Sequence, residues 1–208
     1  MSDTAIIDIV VKLGGGTLAD ATQFNEVVQA IFVGACEHRI LVVPGGGPFA
    51  DAVRGVDRRF GLSDDTAHWM AVLAMDQLAH LVAQFLDSGE VVCSPREIAD
   101  AIANRHVPVL APSQWLQEAD PLPHAWDVTS DSIAAWVAGR VGARRVVLVK
   151  PPGVEPIYDG EGASDVHRAE GIVDAHFHRA LPDGVKWSIV PAHQGPVMAA
   201  VMINFESE

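Results

Sequence analysis

The stretch Ala5-Ile6-Ile7-Asp8-Ile9-Val10-Val11-Lys12-Leu13-Gly14-Gly15-Gly16 decides the fold. Residues 5–13 are rich in Ile and Val and almost continuously apolar, as a strand covered on both faces must be. The run closes on a lysine and three glycines. Lys12 therefore stands near the C-terminal end of a first strand, the edge where open α/β sheets collect ligands. Glycines at a strand-to-helix turn let an anion approach backbone N–H groups, and the helix dipole adds to that attraction. Tight packing at a strand end is the competing explanation for the same glycines.

Outward from this stretch the pattern repeats. Residues 20–36 carry Phe24, Val27, Val28, Ile31 and Phe32 at helical spacing, and residues 39–43 form a second β-branched run closed by Pro44 and by Gly45, Gly46 and Gly47. Pro48 suits a first helical turn, and Ser63 can cap a long helix over 64–86. Further strands are expected at 90–93, 107–110, 145–149 and 187–190, with helices over 95–105, 130–141 and 163–181. Such alternation predicts an α/β fold with a largely parallel sheet. Residues 111–127, with three prolines and two tryptophans, read as an ordered connection and as the boundary between two lobes.

Composition narrows the function. A chain of 208 residues, 49% hydrophobic, can bury one compact core, and a formal net charge of −13 argues against nonspecific nucleic-acid binding. No apolar run reaches the ~18–20 residues of a membrane span, and no basic leader precedes the first apolar run. Cys36 and Cys93 form neither a close pair nor a disulfide framework, which fits a reducing cytoplasm. A soluble, unprocessed cytoplasmic protein is expected, and the apolar content with the long helix suggests a homodimer or higher homo-oligomer.

Three lysines stand against eleven arginines, so lysine is not the general surface cation here. Lys12 and Lys150 each close an expected strand, where an ammonium group can stabilise phosphoryl oxygens. Snorkelling to solvent is the plainer alternative. Asp127-Val128-Thr129-Ser130-Asp131-Ser132 precedes an amphipathic helix. One of these residues suffices as a cap, but two acids and several hydroxyls exceed that need. Asp131 can orient lysines or hold a magnesium–phosphate complex, while Thr129 and Ser130 can donate to phosphate oxygens. Gly14-Gly15-Gly16-Thr17-Leu18-Ala19 also matches the dinucleotide fingerprint of NAD-dependent oxidoreductases, but the second strand ends on a glycine turn instead of the acid that binds ribose. The phosphate-loop pattern is absent. Asp174, His176 and His178 alternate in a way that points two imidazoles of a helix apart, a poor metal site. His68 and Trp69 suit either core packing or substrate contact.

Taken together, Val11-Lys12-Leu13-Gly14-Gly15, Pro44-Gly45-Gly46-Gly47-Pro48-Phe49-Ala50-Asp51 and Asp127-Val128-Thr129-Ser130-Asp131-Ser132-Ile133-Ala134-Ala135 resemble the amino acid kinase superfamily. The resemblance implies an αβα sandwich around a mostly parallel sheet, ATP with Mg2+, and in-line phosphoryl transfer to a small-molecule acceptor. It assigns catalytic roles to Lys12 and Asp131, and phosphate or ATP contacts to Gly14, Gly15, Gly16, Thr129, Ser130 and Lys150. It places the acceptor near Gly45, Gly46, Gly47, Arg54 and His68, with no direct protein ligand for the metal. One domain is implied, with an acceptor-side lobe over 1–126 and a nucleotide-side lobe over 127–208. Leu62-Ser63-Asp64-Asp65-Thr66-Ala67-His68-Trp69-Met70-Ala71 and Val173-Asp174-Ala175-His176-Phe177 look most like the small aminomethylfuran phosphate kinase-type members. Those convert a phosphate monoester to a diphosphate in methanofuran-type cofactor synthesis, and Arg54, Arg58 and Arg59 become candidates to grip such an acceptor. The family's Gly-Gly-Met-x-x-Lys-like segment is missing. Either Lys150 or Arg168 replaces its lysine, or the chain is a non-catalytic nucleotide or oxyanion binder, like the storage proteins of this fold.

Overall fold

The computed structural model describes residues 7–160, 165, 166 and 169–203. Seven strands form one sheet: β1 (Ile9–Leu13), β2 (Ile40–Pro44), β3 (Gly89–Val92), β4 (Val107–Leu110), β5 (Arg145–Lys150), β6 (Ile157–Gly160) and β7 (Lys186–Pro191). Their order is β3-β4-β2-β1-β5-β7-β6, and every pairing is parallel except that of the edge strand β6 with β7. Between β1 and β5 the winding reverses, since β2 lies on one side of β1 and the later strands continue on the other. Lys12 and Lys150 end the two strands that flank this reversal, where ligands of open sheets gather.

Alternation along the strands decides which helices meet which side chains. Ile9, Val11 and Leu13 share one apolar cluster with Phe24, Val27 and Ile31 of α1 (Ala21–Ala35) and with Met198 and Met202 of α8 (Gly195–Ile203). Val10, Leu41, Val43, Val146 and Leu148 lie in the other, with Ile133, Ala134 and Val137 of α6 (Ser130–Val141). Because strand side chains repeat every second residue, Lys12 points the same way as Val10, and Lys150 the same way as Val146 and Leu148. Both ammonium groups are thus aimed at the side covered by α6. Helices on both faces complete the expected αβα sandwich.

Local signals account for the helix boundaries. Asp20 caps α1 by accepting from the amides of Thr22 and Gln23 at 2.8 and 3.1 Å. Ser63 caps α3 (Asp64–Phe85), and Ser94 does the same ahead of Pro95 in α4 (Pro95–Ala103). α2 (Gly47–Phe60) ends on Gly61 in the left-handed region at φ 63°.

The sequence reading needs correction at several points. The first strand begins at Ile9, and Ala5 and Ile6 lie outside the described residues. The connection over 111–127 contains a short helix, α5 (Ser113–Ala119). The helix expected over 163–181 is not one helix: Gly171 takes φ 77°, and of its C-terminal part only α7 (Phe177–Ala180) is helical. Residues 161–164, 167 and 168 of that region lie outside the described residues, Arg168 among them. β6 and α8 were not foreseen. Among the described residues, no helix is long and apolar enough to cross a membrane.

Candidate active site

Asp131, in the first turn of α6, stands between the two lysines. Lys150 Nζ donates to its Oδ2 at 2.5 Å, and Lys12 Nζ lies 2.9 Å from Oδ1 as an ion pair without hydrogen-bond direction. All three side chains are almost wholly buried. Burial by itself would raise the Asp131 carboxyl, but the charges of Lys12 and Lys150 overcome it and hold the group below the ordinary aspartate range. Lys150 moves down from the usual lysine value, pushed first by burial and then by the charge of Lys12, against the pull of Asp131. Within this trio one carboxylate faces two ammonium groups, so the trio by itself carries a surplus positive charge where little water reaches, with Asp174 adding a weaker negative influence on Lys150. An anion such as phosphate would complete that balance.

A cleft of about 650 Å³ opens above this group, a size that suits a small-molecule site. Lys12, Lys150 and Asp131 line its floor with Gly15, Gly16, Gly45, Gly46, Gly47 and Ser130. The two glycine turns touch: a Cβ on Gly15 would lie 2.3 Å from Gly47 Cα, and Gly47 itself takes φ 51°. Packing and phosphate access therefore call for glycine at the same positions. Residues Gly15–Ala19 form a 3-10 turn, held by the Thr17 hydroxyl donating to Gly14 O at 2.7 Å. Gly46 and Gly47 start α2, whose first-turn amides have no partner within the helix.

Three expected contacts change. Gly14 does not line the cleft, and its amide donates to Val149 O at 3.1 Å, so it is a packing residue and not a phosphate donor. The Thr129 hydroxyl donates to Asp174 Oδ2 at 2.7 Å and accepts from Asp131 N at 3.3 Å, which commits it to capping α6. Arg58 and Arg59 are exposed in the last turn of α2, off the cleft, where positive charge suits the helix dipole. Gly45 lines the cleft, although its amide is given to Leu13 O at 2.8 Å.

At the other end of the cleft, Arg54 pairs with Asp51 at 2.8 Å and lies 4.9 Å over the Trp126 ring. Trp126 Nε1 donates to Asp57 at 2.8 Å, which fixes the indole. His68 lines the cleft and stacks on His124, with centroids 4.1 Å apart. His124 places one ring nitrogen 2.7 Å from Asp65 and the other 2.8 Å from Asp120. Its pKa is raised, chiefly by the hydrogen bond to Asp65, while burial and then the charge of His124 lower that of His68. Trp126, His124 and Asp174 are the residues that sequence reasoning did not place here. Their partners lie 69, 59 and 45 positions away in the chain, beyond any local pattern.

No three His, Cys, Asp or Glu side chains gather to hold a metal among the described residues. Asp174 is turned onto α6, and both Asp131 oxygens face ammonium groups, so neither carboxylate fits a resident divalent ion. Asp131 is committed to the two ammonium groups instead.

Comparison with known proteins agrees with this fold. The chain is 26% identical over 152 residues to a [5-(aminomethyl)furan-3-yl]methyl phosphate kinase from Methanocaldococcus jannaschii, covering 72% of this chain and 68% of that protein. The fold is similar to that of a uridylate kinase from Archaeoglobus fulgidus, with a TM-score of 0.67 at 16% identity over 94% of this chain and 95% of that one. A UMP kinase from Ureaplasma parvum gives a TM-score of 0.69 at 17% identity, over 91% and 92% of the two chains. The model of the amino acid kinase family matches residues 9–170, from the start of β1 to beyond β6, and the chain belongs to that family.

Proposed function

We propose that this protein is an ATP-dependent kinase that phosphorylates a small anionic acceptor, a phosphate monoester of the kind named for the Methanocaldococcus jannaschii relative, in methanofuran-type cofactor biosynthesis. The observation that carries this reading is the buried Lys12–Asp131–Lys150 group beneath two bare glycine turns at the reversal of the sheet. An oxygen of the acceptor phosphate attacks the γ-phosphorus of ATP, the bond from that phosphorus to the β–γ bridging oxygen breaks, and ADP leaves. A phosphate oxyanion needs no base to deprotonate it. Lys12 and Lys150 stabilise negative charge on the transferred group, while Asp131 keeps both ammonium groups charged and aimed. Gly15, Gly16 and Ser130 hold nucleotide phosphates, and Gly45, Gly46, Gly47, Arg54 and His68 hold the acceptor. Mg2+, arriving on ATP, would neutralise phosphate oxygens.

Lys150 supplies the second cation that the missing C-terminal lysine would have provided. The acceptor side over 1–126 and the nucleotide side over 127–208 act as two walls of one domain. A cytoplasmic homodimer completes the proposal, with the exposed Leu73 of α3 and Val56 and Phe60 of α2 as apolar surface for contact. Light scattering tests the dimer.

Coupled measurement of ADP release with a panel of phosphate monoesters tests the activity. Acceptor-dependent turnover is expected. Nucleotide binding without turnover on any acceptor would move the protein to the storage or binding class.

A further inference from the structure

We propose that Asp174 is a positioning residue of the phosphoryl-transfer site, gripping the first turn of α6 so that Asp131 is held between Lys12 and Lys150. The inference rests on the kinase reading for its kinetic consequences, but the grip itself is geometric. Asp174 Oδ2 accepts from Thr129 N at 2.8 Å, Thr129 Oγ1 at 2.7 Å and Ser132 N at 3.0 Å. Its Oδ1 accepts a short bond from the Ser132 hydroxyl and another from His176 N at 3.1 Å. Four of these five donors belong to the residues that bracket Asp131. By taking the Thr129 hydroxyl hydrogen, Asp174 also turns a lone pair of that oxygen toward Asp131 N, 3.3 Å away.

A helix cap needs far less. At the starts of α3 and α4 one serine oxygen accepts from one free amide, whereas α6 begins with a threonine cap and adds a carboxylate from 42–45 residues further along the chain. Ser132 is wholly buried, so its hydroxyl must find a partner inside the protein, and Asp174 is that partner. The residue also lines the cleft beside Lys150, and its charge favours the protonated form of that lysine. Asp174 thus serves the site twice, by fixing the backbone that carries Asp131 and by helping keep Lys150 cationic.

The test compares Asp174→Asn, Asp131→Asn and the double variant in acceptor-dependent ADP release. Asparagine keeps the shape but turns an amide toward donors. The single Asp174→Asn change is expected to lower kcat about tenfold to a hundredfold with ATP KM nearly unchanged, as misplaced catalytic groups do. In the Asp131→Asn background the same change is expected to cost much less, because the carboxylate it positions is already gone. Full additivity, or wild-type kcat in the single variant, would overturn the proposal. A second measurement needs no turnover: trace acetylation across pH, read by mass spectrometry on the three lysine-bearing peptides. Lys150 should become reactive at lower pH in Asp174→Asn while Lys186 stays unchanged, and an unmoved Lys150 also overturns the proposal. Should the asparagine variant fail to fold, Ser132→Ala weakens the same grip and should shift Lys150 reactivity in the same direction. A wild-type protein without turnover on any acceptor sinks the kinase reading and leaves the labelling result to decide the role of Asp174.

Discussion

Two aspartates in this molecule each stand between two cations, one group at either end of the sheet. At the start of β1, Asp8 accepts from Arg39 at 2.7 and 3.0 Å and lies 3.5 Å from Arg144. At the ends of β1 and β5, Asp131 faces Lys12 and Lys150. Each carboxylate faces two cationic side chains, but the surroundings differ. The side chains of Arg39 and Arg144 are 41% and 51% exposed, so water and salt screen their charges, and the fork of Arg39 fixes the geometry. Lys12 and Lys150 are 7% and 9% exposed and carry compact, turnable ammonium groups. A charge largely withdrawn from water but open to a cleft can be met by a ligand. Burial separates a clip that joins strands from the group proposed to receive phosphate.

The comparison can be broken most directly through catalysis. Lys12→Met is expected to lower kcat by about 10²–10³-fold, the scale of losing one donor to a transition-state oxyanion. Arg39→Met should leave kcat near the wild-type value, and steady-state kinetics on the two variants decides whether the groups differ as described.

Stability should divide the two groups next. Asp131→Ala strands two buried ammonium groups and is expected to cost about 3–5 kcal/mol, whereas Asp8→Ala, which removes a buried carboxylate but leaves guanidinium groups that water reaches, should cost less, about 1–2 kcal/mol. Urea unfolding measures both. Asp8 and Asp131 both have depressed folded pKa values, so both contributions are present above the unfolded aspartate value and are lost as pH falls through the folded ones. For Asp8, burial opposes the depression and the hydrogen bond from Arg39 prevails.

Gly15→Ala sharpens the comparison by leaving every charge in place. Its Cβ would force the two glycine turns apart, with an expected cost of about 1–3 kcal/mol and a rise in ATP KM. Unchanged kinetics would mean that the turns do not hold phosphate. The smallest effect belongs to His124, a titratable cation between two exposed aspartates. Its raised folded pKa means that its stabilising contribution is full below the unfolded histidine value and is lost as pH rises through the folded one. Thermal melts across that window should show a decline that His124→Gln removes.

The site was legible where the signal is local. Lys12, both glycine turns and Asp131 sit at strand and helix ends that periodicity and punctuation mark, and the parallel strands between them read as continuous Val and Ile runs. The rest depends on distant pairs. Asp174 looked like part of a His cluster because its true partners, Thr129 and Ser132, lie on another element. α8 has the sequence Gly-Pro-Val-Met-Ala-Ala-Val-Met-Ile, apolar all round, so no helical stripe marked it. β6 is four residues long and carries Asp159 at φ 49°, which breaks the alternation that would have identified a strand. The failed helix over 163–181 shows the converse, since Gly171 at φ 77° interrupts what periodicity alone suggested.

That last strand has a consequence for how the molecule behaves in a crowded solution. β6 runs against its neighbour with a register shift between Ile157 and Gly160, and Asp159 on it is tied to Arg145 at 2.5 Å. The opposite rim, β3, is equally short and carries Glu90 bound to His106 at 2.5 Å. Rims this brief, with a charge fixed on each, offer a second chain little length on which to zip. Both rims of the sheet are thus poor templates for edge-to-edge pairing with another chain.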